Sequence, residues 1–351
     1  MQKAKRWKQR LVLVLLLVAI FGGATELLLR VKYRKVRTAT PHGWHEFDER
    51  LGWRHTPGKE IQVEPGKNDV AEVPRAFFVR INAQGLREDR DLAPEPSSGI
   101  TRIACIGDSC TFGYCVAGEA AFPKRLEAAL GKGYETWNWG VSGYGIDQML
   151  LQLERDVLPT KPRLVVLSVI DDDFRRATRT AYHTGEKKPF YTLDGDALVL
   201  RGVPVERVEV GDAYYKVDAQ GSLVLWRIGE GVKALTKALA KDPDAADDTW
   251  LVGRALIREA ARVTKAAGVK LVVVLLPTDH LIGQDPRARL LPSLEAEGIA
   301  VLDLYPAYKA RMAKDSTRLF IDQFHPTEAG HELIADELAA FLAKRDMLSR
   351  P

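Results

Sequence analysis

The chain has 351 residues, 46% hydrophobic and 28% charged, a globular composition that excludes a disordered or fibrous chain. Its net charge of +4 is local: residues 1–37 hold ten Lys and Arg against the single acid Glu26, a balance of +9, which leaves −5 for the remainder. The basic excess therefore belongs to one end, and there is no global case for a nucleic-acid partner.

Residues 11–29 contain one charge, Glu26. As a helix they extend about 28 Å, close to the hydrocarbon thickness of a bilayer. The stretch reads as an uncleaved N-terminal transmembrane helix, and residues 1–37 as a membrane anchor or signal. A cleaved signal peptide is the alternative, with Gly22, Gly23 and Ala24 as small residues for the cut; against it, the apolar pattern resumes at Leu27, Leu28 and Leu29 before the second basic cluster. Five basic residues flank each side, so orientation rests on the short amino-terminal tail staying in the cytoplasm. That places the rest of the chain on the periplasmic or cell-surface side.

Residues 38–99 are rich in Pro, Gly and charge, with short apolar pieces at 76–79 and scattered aromatics at Trp44, Phe47 and Trp53. They read as a small β-rich lead-in followed by a linker at 94–99, with Gly85 at a turn. From residue 100 the pattern alternates strand and helix to about 345, which predicts a parallel sheet covered by helices on both faces. Strands are expected at 102–106, 134–138, 163–170, 269–276 and 299–304, and helices near 119–130, 146–157, 249–267, 286–297 and 327–344. The third and fourth strands are too continuously apolar for a one-sided sheet and should be central. Residues 175–248 interrupt the rhythm with turns at Gly195 and Gly221, an excursion of the length that enzymes use as a lid or substrate-binding elaboration.

The first expected strand runs into Gly107-Asp108-Ser109-Cys110-Thr111-Phe112-Gly113. A serine in a turn at the carboxyl end of a buried strand is where an α/β enzyme exposes a nucleophile, although Gly, Asp and Ser are also ordinary turn residues. The stretch lacks the lysine and glycine spacing of a phosphate loop. Cys105, Cys110 and Cys115 match no common zinc pattern; Cys105 reads as a small buried hydrophobe, and a bridge between Cys110 and Cys115 is the lesser reading.

Near the other end, Asp322 and His325 fall in the loop that enters the last helix, where Thr327 is a good N-cap and Pro326 stops the preceding segment. At that spacing a carboxylate accepts a hydrogen bond from imidazole Nδ1 and leaves Nε2 free to take a proton from a serine. Two more loops reach the same sheet edge. Asn138-Trp139-Gly140-Val141-Ser142-Gly143 follows the second strand and Asp171-Asp172-Asp173 the third, and such loops can furnish an oxyanion hole.

Together these stretches resemble the SGNH (GDSL-type) hydrolases, and the lead-in and anchor look like those of membrane-attached bacterial members. Gly107-Asp108-Ser109 is similar to the family's first block with Ser109 as nucleophile, Gly143 to the second-block glycine, and Asp322 with His325 to the last block. The resemblance implies a flavodoxin-like three-layer sandwich with a five-stranded parallel sheet, and esterase, lipase or carbohydrate-deacetylase chemistry on an acylated small molecule or carbohydrate, without a cofactor. It implies an oxyanion hole of Ser109, Gly143 and the residue at 171. The family places asparagine there and this chain has Asp171, which as a carboxylate donates no hydrogen bond and repels an oxyanion. Transfer of the acyl group to an envelope polysaccharide, or glycan binding without catalysis, remain alternatives. The remaining candidates read as structural first: the three aspartates as a solvated acidic loop rather than a metal site, Trp137 and Trp139 as core rather than a sugar platform, and His331 as packing. His280 lies near the active edge, where it would meet substrate.

Overall fold

The computed structural model describes residues 17, 20–28, 43–64, 66–67, 72–73, 76–182, 185–207, 245–279 and 290–349. The chain divides into two units, Met1–Thr40 with Val208–Pro243, and Pro41–Arg207 with Asp244–Pro351. Of the first, residues 17 and 20–28 are described and helical. No helix among the described residues is long and apolar enough to cross a membrane, and nearly half of the span expected at 11–29 lies outside them. Gly221 and His280 also lie outside the described residues.

The second unit begins with short antiparallel pairs. Strand β1 (His45–Asp48) pairs with β2 (Gly52–His55), β3 (Glu60–Val63) with β6 (Phe77–Arg80), and between them β4 (Gly66–Lys67) with β5 (Glu72–Val73). Asp48 closes the first hairpin by accepting the N–H groups of Arg50 and Leu51, each at 2.9 Å. Trp44, Phe77, Val79 and Ile81 bury their side chains against Phe112, Tyr114 and Cys115, so the lead-in shares a core with the Gly-Asp-Ser loop.

The main sheet consists of β7 (Thr101–Ile106), β8 (Tyr134–Asn138), β9 (Leu164–Val169), β12 (Lys270–Leu275) and β13 (Ala300–Asp303). All neighbours are parallel, in the order β13-β12-β9-β7-β8. Uniformly apolar strands still sort by parity. Ile103, Cys105, Leu164, Val166, Val272 and Val274 face one core with the helices Phe122–Leu130 and Glu328–Lys344. Ala104, Ile106, Val165, Leu167, Val273 and Leu275 face the other with the helices Ile146–Gln152 and Ala245–Ala266. Two such faces explain why the hydropathy shows no alternation. The strand order reverses between β7 and β9, the switch point at which α/β sheets open a crevice beyond their carboxyl ends.

Element boundaries differ from the sequence reading in places with identifiable causes. The helix expected from 286 runs Leu291–Ala296, with 280–289 outside the described residues. The one expected over 146–157 continues past Gln152 as a π turn, Leu153–Val157. An unexpected helix, Tyr305–Lys314, begins with Pro306 in its first turn, where a missing N–H costs nothing although the residue reads as a breaker. Within the insertion, β10 (Phe190–Asp194) and β11 (Ala197–Arg201) form a hairpin turned at Gly195, whose φ of 59° lies in the left-handed region. Buried Lys188 ties this segment down: it pairs with buried Asp147 and donates to the carbonyls of Arg176 at 3.0 Å and Pro189 at 2.8 Å.

Two histidines are folded into the core in neutral form. His331 accepts the N–H of Phe122 at 3.2 Å through Nδ1, and burial pushes its pKa down to about 3. His55 donates from Nδ1 to Gly85 O at 3.0 Å, and burial pushes it down to about 4. Between about pH 6.5 and 4 the unfolded chain binds a proton at each site that the folded chain does not, so stability falls as pH falls, by about 1.4 kcal/mol per pH unit for each. Urea unfolding at a series of pH values between about 7 and 5 should show this slope, and His331→Gln should reduce it.

Candidate active site

The turn that carries Ser109 is built from its backbone outward. Strand β7 is buried along its whole length and ends at Ile106. A Cβ at Gly107 would collide with the Thr111 side chain and come within 2.9 Å of Ser168 O, so the chain leaves the sheet through glycine. Asp108 then caps a single helical turn, Ser109–Phe112, by accepting the N–H of Cys110 at 2.8 Å. Gly113 closes it at φ 82° with its N–H on Ser109 O. The lead-in contributes Arg87, fully buried, which donates to the carbonyls of Phe112 (2.7 Å), Gly113 and Val116 (2.7 Å) and lies 4.4 Å over the Phe112 ring. Burial pushes its pKa down to about 10, so it stays cationic at neutral pH.

The last loop brings Asp322 and His325 to this turn across 216 residues. Asp322 Oδ1 accepts the N–H groups of Phe324 and His325, both at 2.8 Å, which fixes the loop. Its Oδ2 accepts from His325 Nδ1 at 2.7 Å, and His325 Nε2 lies 2.9 Å from Ser109 Oγ. With Nδ1 protonated toward the carboxylate, Nε2 is the acceptor for the serine proton. Burial pushes the Asp322 carboxyl up, but the hydrogen bond and charge of His325 and the two backbone N–H groups hold it below the ordinary carboxylate range. Tyr114 packs on the imidazole with ring centroids 4.8 Å apart, and His325 is 2% exposed, Ser109 5%. Thr327 caps the following helix by accepting the N–H of Gly330 at 3.2 Å.

The second loop is locked to the first. Asn138 donates to Thr111 O (3.0 Å) and Phe112 O (3.3 Å) and accepts the N–H of Gly140 at 3.0 Å. Gly143 takes φ 83°, and a Cβ there would lie 2.8 Å from the ring of Tyr182, a residue of the insertion. Trp53 of the lead-in donates to Ser142 O at 3.0 Å and accepts from the Tyr144 hydroxyl at 2.7 Å. Lead-in and insertion thus both press on the segment that carries Gly143.

Asp171 is engaged by residues outside this cluster. It opens the helix Asp171–Arg176, with Oδ1 3.5 Å from Thr278 Oγ1 and Oδ2 2.9 Å from Arg175. Neither Ser109 nor Gly143 is hydrogen-bonded to it. Asp172 and Asp173 pair with Arg176, so the acidic run is an ion-paired helix start rather than a solvated loop. Trp137 and Trp139 are buried, Trp137 with Arg90 4.7 Å over its ring. The three cysteines are free buried thiols; Cys105 lies in the core, and Cys110 Sγ donates to Phe324 O at 3.4 Å. The roles of Arg87, Arg176, Tyr182 and Trp53 at the site escaped the sequence reading. Only Arg176 left a trace, its spacing of three and four from Asp173 and Asp172.

A serine, imidazole and carboxylate in sequence at a sheet switch point is the constellation of acyl transfer to water or an alcohol. The model of the GDSL-like lipase/acylhydrolase family matches residues 105–333. The chain belongs to that family. It is accordingly a hydrolase acting on ester bonds. Among solved structures it is similar to a lipolytic G-D-S-L family protein of Veillonella parvula, at 14% identity over 70% of this chain and 99% of that one with a TM-score of 0.43. An acetylxylan esterase of Geobacillus stearothermophilus is similar at 15% identity over 69% and 94% of the two chains, with a TM-score of 0.41. No curated protein matches. The family assignment rests on the sequence match. Asp322→Asn, which keeps the shape but reverses the imidazole tautomer, should lower kcat for a short acyl ester by about 10⁴, measured by p-nitrophenyl acetate hydrolysis.

Proposed function

We propose that this hydrolase cleaves an acylated small molecule or carbohydrate through an acyl-enzyme on Ser109, with His325 as base and acid and Asp322 as its orienting carboxylate. The observation that carries this reading is the unbroken hydrogen-bond line from Asp322 Oδ2 through both imidazole nitrogens to Ser109 Oγ, at 2.7 and 2.9 Å. In the first half-reaction the Ser109 proton passes to Nε2, Oγ bonds to the acyl carbon, and the carbonyl π pair moves onto its oxygen. As that pair returns, the bond to the alkoxy oxygen breaks and the departing alcohol takes the proton from Nε2. Water then gives a proton to Nε2 and its oxygen to the acyl carbon. The bond to Ser109 breaks and the proton returns to Oγ. The backbone N–H groups of Ser109 and Gly143 are the donors to the oxyanion in this scheme. Ser109→Ala should abolish both p-nitrophenyl acetate turnover and fluorophosphonate labelling; persistence of either overturns the assignment.

The membrane-anchored, extracytoplasmic setting belongs to the same proposal, supported by the apolar run at 11–29 and its basic flanks. The full chain should sediment with membranes and resist alkaline carbonate, and removal of residues 1–37 should release activity into the soluble fraction. A full chain that carbonate extracts would contradict the anchor.

A further inference from the structure

Chemistry at Ser109 develops negative charge on the acyl oxygen, and position 171 presents a carboxylate engaged with Thr278 and Arg175 instead of a donor. The other end of the same helix supplies a cation. Arg176 Nη1 donates to Asp108 Oδ2 at 3.1 Å, to Tyr144 O at 3.1 Å and to Asp173 Oδ1 at 2.9 Å, and Nε lies 2.9 Å from Asp172. One nitrogen therefore bridges the residue before Ser109 and the residue after Gly143, the two groups whose N–H bonds are assigned to the oxyanion. Asp108 Oδ2 is itself 3.4 Å from Ser109 Oγ. Nη2 makes no hydrogen bond to a described residue, and the side chain is 12% exposed.

The backbone and Cβ of Arg176 are held as well. Lys188 takes the Arg176 carbonyl at 3.0 Å while paired to buried Asp147, and the Arg176 Cβ lies where a Cβ on Gly145 would collide with it, at 2.7 Å. Burial opposes the charge, but Asp173, Asp172 and Asp108 raise the Arg176 pKa, so the guanidinium is cationic at neutral pH. A lysine cannot reproduce this. Its three N–H groups sit on one nitrogen, whereas the guanidinium spreads its donors over a planar fork, with Nη1 among three acceptors and Nη2 left as a further charged donor.

We propose that Arg176 is the side-chain oxyanion donor of this enzyme, giving an Nη2–H hydrogen bond to the acyl oxygen in the place of the amide that residue 171 lacks. The inference rests on the acyl-enzyme reading of Ser109, and it makes the hole a cationic one in which the charge of the tetrahedral intermediate is met by a fixed guanidinium. Such a donor is preorganised by its carboxylates and needs no reorientation as the charge forms.

The test uses the full-length protein and a matched pair of substrates, a short acyl ester and its thionoester, in which sulfur replaces the carbonyl oxygen and accepts hydrogen bonds poorly. In Arg176→Gln and Arg176→Lys, kcat for the oxygen ester should fall by about 10²–10³ while the thionoester rate falls much less, so that the ratio between them collapses. Equal losses on both substrates would mean that Arg176 only holds Asp108 in place, and would overturn the proposal. Asp171→Asn gives an independent reading that survives if neither Arg176 variant folds. With the donor already supplied it should bring no gain in turnover, whereas a gain of about tenfold or more would show an empty donor position and overturn it. Ser109→Ala separates the two levels: turnover surviving there removes the acyl-enzyme reading itself, while its loss together with equal ester and thionoester losses removes Arg176 alone.

Discussion

Parallel strands buried on both faces must deliver all their carboxyl ends to one edge, and the arrangement of this protein follows from that constraint. The strands β7, β8 and β9 release the loops bearing Ser109, Gly143 and Asp171 at a common edge, and the reversal of order between β7 and β9 opens the space between them. His325 arrives there from a loop stabilised by its own Asp322, without a strand to carry it. The imidazole is therefore positioned by short-range hydrogen bonds, and the serine by the sheet.

What surrounds the edge is unusually rich in buried charge. Arg87 holds the carbonyls of Phe112, Gly113 and Val116 at and beyond the end of the Ser109 turn, Lys188 pairs with Asp147 beneath the insertion, and Arg176 gathers Asp108, Asp172 and Asp173. Ion pairs in such places gain little over well-packed apolar side chains, because desolvation offsets their attraction. What they supply is geometry, since a guanidinium satisfied by several fixed acceptors has one orientation. The lead-in and the insertion provide these groups to a sheet that would otherwise expose its loops. Trp53 on Ser142 O and Tyr182 against Gly143 reach this segment from the two additions, with their rings 5.3 Å apart.

Much of this was legible in the residues. Runs such as Leu164–Val169 and Lys270–Leu275 identified central strands because few other environments accept six consecutive residues of that kind. Asp322 and His325 stood out through a spacing at which the side chains meet in a turn, and Thr327 through its fitness as a cap. Arg87 and Arg176 did not, because an arginine in a charged stretch looks the same whether it faces solvent or a ring of carbonyls. Nor did the role of the acidic run, where the pairing of Asp172 and Asp173 with Arg176 depends on that stretch being helical from its first residue.

The sequence by itself determined the strand and helix order, the family and the three residues of the hydrogen-bonded line, since each depends on local pattern or on motifs in chain order. Only the tertiary structure decided which loops adjoin, that Asp171 turns to Thr278 and Arg175, and that Arg176 bridges the loops of Ser109 and Gly143. Those outcomes depend on strand order and on contacts between residues far apart in the chain, and neither leaves a periodicity for a linear reading to detect.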